Sequence, residues 1–123
     1  MLFFGKKFGK KNKDTNKNSK SLIEQISSSM NLLLLKAGNL NQQFEEEKSL
    51  IQKISDDSKK IVPITEILGV KFEQEILVSL TKASFSCDNV LAGSNSKQLK
   101  KSLLTLESLI RERLALQTEN PQQ

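Results

Sequence analysis

The sequence predicts an all-α protein: an antiparallel helical bundle of three or four helices, with the option of one long coiled-coil-like first helix. Apolar residues recur at three- and four-residue steps along most of the chain, and no stretch of more than a few residues alternates with period two. Gly38, Gly69 and Gly93 divide that pattern into helix-length pieces. With 123 residues, 37% of them hydrophobic, the chain is long enough for one core and too short for two.

The first helical segment opens on a capping box, Ser21 followed by Glu24. Its seam reads Ile23, Ile26, Met30, Leu33, Ala37, Leu40, Phe44, Glu47, Ile51, Ile54, Ser58 and Ile61, polar only at Glu47 and Ser58. The phase does not slip at Gly38. That fits one helix of about 40 residues, roughly 60 Å long. Ala37-Gly38-Asn39 is also a helix stop and fits two helices joined there. A glycine inside a helix costs only about 1 kcal/mol relative to alanine, so both readings stand. The segment ends near Val62, because Pro63 disfavours a helical conformation at the residue before it.

Ile64–Gly69 reads as an apolar connector or an irregular first turn. The next helix spans about Val70 to Leu91, with Glu73 and Glu75 near its positive end. Its seam is Ile76, Leu80, Ala83, Cys87 and Val90, flanked by Phe72 and Phe85. Gly93-Ser94-Asn95-Ser96 is a turn with a serine N-cap. The last helix spans about Lys97 to Gln117 on Leu99, Leu103, Leu106, Ile110 and Leu114. Arg111 and Arg113 suit its negative end. The resulting division is a basic disordered tail and linker over 1–20, a helical bundle over 21–117 and a polar tail over 118–123.

Leu32, Leu33, Leu34 and Leu35 are consecutive, so on a helix they point nearly all round its axis. Other helices of the bundle or a second chain must cover them. Met30, Leu32, Leu33, Leu34, Leu35 and Ala37 are therefore the candidate surface for a partner protein or for self-association, including a homodimer.

Residue types exclude most catalysis. There is no His, the commonest general base and metal ligand, and one Cys rules out a disulfide framework within the chain. No Gly-rich phosphate loop follows a strand. Glu47, on a seam, reads as a polar residue that sets register. Cys87, among apolar seam neighbours, reads as an inert buried thiol. The expectation is a non-enzymatic chain with no cofactor and no metal.

The net charge of +5 is not spread over the chain. Residues 1–20 hold seven Lys against one Asp, a net of +6, and the remainder holds 12 basic and 13 acidic side chains, a net of −1. Three of the six Phe also lie in that tail. Residues 10–20 are almost wholly polar and read as a solvated linker, which leaves those Phe cut off from the core. Leu2, Phe3, Phe4 and Phe8 suit insertion into a bilayer interface while Lys6, Lys7, Lys10 and Lys11 meet anionic headgroups. Each Lys near such a surface contributes about 1 kcal/mol. Each Phe adds something below the roughly 1.5–3 kcal/mol of full burial. The near-neutral remainder argues against nucleic acid as the partner. A secretory signal and a transmembrane span are both unsupported, which places the chain in the cytoplasm or peripherally at the inner membrane face.

Lys36-Ala37-Gly38-Asn39-Leu40 followed by Phe44-Glu45-Glu46-Glu47-Lys48-Ser49-Leu50-Ile51 resembles the middle of small helical flagellar export chaperones. That resemblance implies a soluble chaperone of the flagellar or type III export kind, which binds the helical ends of export substrates. The reading from the residues is an interaction module, adaptor or scaffold, held at a membrane by its tail. A nucleic-acid-associated protein acting through the basic tail is a further alternative.

Overall fold

In the computed structural model the described residues are 8–119, with side chains described from 17 to 118. They form four helices: α1 (Phe8–Ala37), α2 (Glu45–Ser58), α3 (Ile67–Leu91) and α4 (Lys97–Glu119). A single 3-10 turn, Gln42–Phe44, leads into α2. Among the described residues there is no strand.

The first segment is a hairpin, not one long helix. Helix α1 stops at Ala37, and tightened turn bonds follow from Asn39 N–H to Lys36 C=O and from Leu40 N–H to Ala37 C=O, both 3.0 Å. Asn41 then starts the 3-10 turn, its side-chain oxygen accepting from Gln43 N–H at 3.2 Å. The apolar phase runs through this turn because Leu40 is itself buried and Phe44 packs against the core. Turn residues that fill core positions mimic a continuous seam.

Helix α1 also begins earlier than its capping box predicts. Residues 10–20, expected as a linker within a disordered tail, are helical. Ser19 continues the seam below Ile23, has no exposed surface and donates to Glu73 Oε2 at 2.7 Å. A polar side chain that finds a buried partner extends a helix as well as an apolar one. Helix α3 likewise starts at Ile67 rather than Val70, and α4 runs two residues past Gln117 to Glu119.

Consecutive helices run in opposite directions, but they are not all neighbours. Helix α1 packs on α2 and α3, and α4 packs on α3 and α2, whereas α2 and α3 stand diagonally across the bundle. Side-chain bonds give the registers. Ser19 with Glu73 and Lys36 with Asp88 set α1 parallel to α3. Glu47 with Ser96 and Lys53 with Glu107 set α2 parallel to α4. Two antiparallel hairpins therefore stack side by side.

The core lies along the axis and is lined by the expected seams: Ile26, Leu33, Ile51 and Ile54 from the first hairpin, Ile76, Leu80, Leu103 and Leu106 from the second, all at most 1% exposed. Gly93 ends α3 with φ at +114°, a conformation that L side chains rarely adopt. Ser94 N–H then bonds to Asn89 C=O at 2.9 Å, which closes the helix end.

Candidate interaction surface

Some of the apolar side chains that the core does not use lie on the α1–α3 face. Across it, Lys36 Nζ donates to Ser84 Oγ at 2.7 Å and to Asp88 Oδ2 at 2.9 Å, which ties the two helices in register at their outer edge. Beside this bridge runs a groove of about 290 Å³ lined by Ser29, Leu32, Lys36, Thr81, Ser84 and Phe85. Leu32 is 51% exposed and Phe85 69%; Leu35, three residues further along α1, is 71% exposed. Single exposed apolar residues are ordinary, but several gathered across two packed helices mark a contact surface.

The structure divides the predicted partner surface. Leu32 and Leu35 are exposed as a docking face requires, and Leu34 is half-buried against the core. Met30, Leu33 and Ala37 are core residues, at most 5% exposed, and are not available to a partner. The correction follows from geometry: those three continue the seam from Ile26, and α2 and α3 cover that stripe from both sides. The run of four leucines is thus covered over part of its circumference only.

Leu2, Phe3, Phe4, Lys6 and Lys7 lie outside the described residues. Phe8, Lys10 and Lys11 fall in the first turns of α1. Lys17 and Lys20, further along the same helix, are exposed.

Phe85 was expected only as a flanking residue. Its sequence signal was its position, two residues before the seam residue Cys87, which turns it away from the core. Cys87 itself is fully buried, and burial, helped by the Asp88 carboxylate, pushes its thiol pKa up. Such a thiol is a poor nucleophile.

At the other end of α3 sits a polar cluster that periodicity did not predict. Glu73 and Arg113 both have no exposed surface. Arg113 Nε and Nη2 reach Glu73 Oε2 at 2.8 and 2.6 Å, and the Ser19 hydroxyl donates to the same oxygen. Glu73 Oε1 is buried with no hydrogen-bond partner. Burial raises the Glu73 carboxyl above the usual carboxylate range; the hydrogen bonds from Ser19 and Arg113 oppose that shift without cancelling it. Arg113 Nη2 also donates to Val62 C=O at 2.6 Å. Gln117 accepts from Val62 N–H at 3.0 Å and donates to Lys60 C=O at 2.8 Å. The cluster clamps the diagonal α2–α3 connector to α4, which is a structural task.

A second groove, about 380 Å³ between α3 and α4, is lined by Val78 and Leu109 together with polar side chains such as Glu75, Lys82, Gln98 and Lys101. Both grooves are at or near the lower end of small-molecule pocket sizes. Comparison with known proteins finds no matching family model, no matching curated protein and no matching solved structure. Among the described residues no helix is long and apolar enough to cross a membrane.

Proposed function

We propose that this chain is a non-enzymatic helical interaction module that docks a partner helix across α1 and α3 and is held at an anionic membrane surface by residues 2–11. The observation that carries the docking reading is the exposure of Leu32 and Phe85 across one groove beside the Lys36–Asp88 bridge. An apolar strip with a mixed-charge edge suits an amphipathic helix laid along a groove. Serine and threonine at positions 29, 81 and 84 keep the floor shallow enough for close approach. The tail supports the membrane reading through its net charge of +6 and its three Phe, two weak anchors that together suffice for reversible attachment.

Site-specific photocrosslinking tests the docking face. A crosslinker at position 85 should give discrete adducts in cells, while one at Leu104, an exposed apolar residue on α4, should not. Matching patterns at both positions, or none at 85, overturn it. Flotation with anionic vesicles tests the anchor: deletion of residues 2–11 should abolish binding, and equal flotation of both proteins overturns it.

A further inference from the structure

We propose that the α2–α3 connector and the first turn of α3 form a second membrane-contacting element, which inserts Val62, Ile67 and Leu68 into an anionic lipid surface. The proposal rests on the tail reading for the choice of occupant, because residues 17–20, which follow the tail in the chain, lie at the same end of the bundle as the connector. The Glu73 cluster shows this directly. It joins Ser19 of α1, Glu73 of α3, Arg113 and Gln117 of α4 and the backbone of Lys60 and Val62 by hydrogen bonds. Residues 17–20, through which the cationic tail enters the bundle, therefore flank the connector.

Side chains in this stretch are sorted. Ile61 and Ile64 are at most 4% exposed and anchor it in the core, whereas Val62, Ile67 and Leu68 are 46%, 58% and 47% exposed. With both anchors already placed, the interior does not require three more large apolar side chains here. They stand at the end of the helices, where the chain turns into α3, and Leu68 also borders a groove along α3 beside Phe72.

Around Val62 the backbone of the connector is already satisfied. Val62 N–H and C=O are both bonded, to Gln117 and to Arg113, and Lys60 C=O is bonded to Gln117. Lipid offers no hydrogen bonds, so these groups enter the interface without being left bare. The same bonds hold Val62 in place, so little ordering is lost there on insertion.

Charge selects an anionic surface. Lys59, Lys60 and Lys71 are exposed on either side of the apolar tip, and Lys17 and Lys20 are exposed on α1. Glu66 lies within the tip, and Asp56 and Asp57 beside it offset the connector lysines, Asp57 pairing with Lys60 at 3.3 Å. Lys17 and Lys20 tip the balance of these residues to positive, so headgroups are drawn to the rim while the aliphatic side chains enter the interface.

Four proteins decide the matter in flotation with phosphatidylserine–phosphatidylcholine vesicles: the full chain, the chain lacking residues 2–11, the full chain carrying Val62→Ser, Ile67→Ser and Leu68→Ser, and the combination. The triple variant should keep the helical signal of the full chain and bind about tenfold more weakly, as expected for partial burial of three aliphatic side chains. The chain has no Trp, so Leu68→Trp adds a single reporter; its emission should shift to the blue on these vesicles, and that of Leu104→Trp should not. Undiminished flotation of the triple variant, or an unshifted Leu68→Trp, overturns the proposal and leaves the tail anchor standing. If the chain lacking residues 2–11 floats like the full chain while the triple variant does not, the tail anchor fails and the tip survives. A full chain that does not float overturns both.

Discussion

Each end of the bundle buries a carboxylate, and the two are held by different means. At the base, Glu73 and its partner Arg113 are both without exposed surface, and the pair also grips the α2–α3 connector. At the opposite end Glu47 is 5% exposed, accepts from Ser96 Oγ at 2.9 Å and has Lys100 3.9 Å away, with half of that lysine side chain in water. Solvent can replace a missing partner at the upper site and cannot at the base. The reason lies in connectivity. The upper turns link helices that are neighbours and close locally, through Asn41 and Gly93. The base connector crosses the diagonal between α2 and α3 and needs side chains from α4 to hold it.

Arg113→Met breaks the comparison most severely. It leaves Glu73 buried without its cation and should cost about 3–5 kcal/mol in chemical denaturation. Adding Glu73→Leu should recover most of that loss, because the desolvated charge goes with it. The single variant should lose less at low pH than at high pH, because a proton on Glu73 removes the uncompensated buried charge. In the native chain the direction is the same. Burial raises the folded carboxyl above its ordinary 4.5, so the folded state binds that proton more tightly than the unfolded chain. The Glu73 contribution to stability is therefore highest below the ordinary value and falls as pH rises through the folded one. A loss below about 1 kcal/mol for Arg113→Met would mean that the base is no tighter than the top.

Glycines at the two ends sharpen it next. A Cβ at Gly69 would lie 2.8 and 2.9 Å from Cδ1 and Cγ1 of Ile64, a side chain that is itself fully buried. Overpacking of that kind costs about 1–3 kcal/mol, more than the helix propensity gained, so Gly69→Ala should lower the melting temperature. At Gly38 the nearest atom is Leu35 O at 3.4 Å, and Gly38→Ala should change stability by no more than about 0.5 kcal/mol in either direction. Equal melting shifts would remove the contrast.

The smallest effect belongs to the upper carboxylate. Glu47→Gln keeps an acceptor for Ser96 and gives up only a screened attraction to Lys100, so the expected loss is about 0.5–1 kcal/mol. A loss as large as that of Arg113→Met would show that Glu47 is as dependent on its partners as Glu73.

Much of this arrangement was legible from residue spacing. Ile26, Met30, Leu33, Ile51, Ile54, Leu80, Cys87, Leu103 and Ile110 are all core residues at their seam positions. The hairpin at Gly38 was not legible, because Leu40 and Phe44 hold the same phase in a turn as in a helix. The docking surface was half legible: four consecutive leucines require more than one neighbour, but spacing along one helix does not say which side is left open. Glu73 and Arg113 were read as complements to helix ends. Forty residues separate them, and nothing local marks a salt bridge that forms only when α3 and α4 pack.

What periodicity decides is the state of each helix and the stripe it turns inward, because both follow from the 3.6-residue repeat of one chain segment. The uneven charge, concentrated in residues 1–20, is likewise plain from composition. Packing decided the rest: that α2 and α3 face each other across the diagonal, that Leu32 stays outside beside Phe85, and that Val62 on a clamped connector and Ile67 and Leu68 in the first turn of α3 are left exposed. These depend on contacts between residues far apart in the chain, and a pattern that repeats along one helix carries no information about which helix lies opposite.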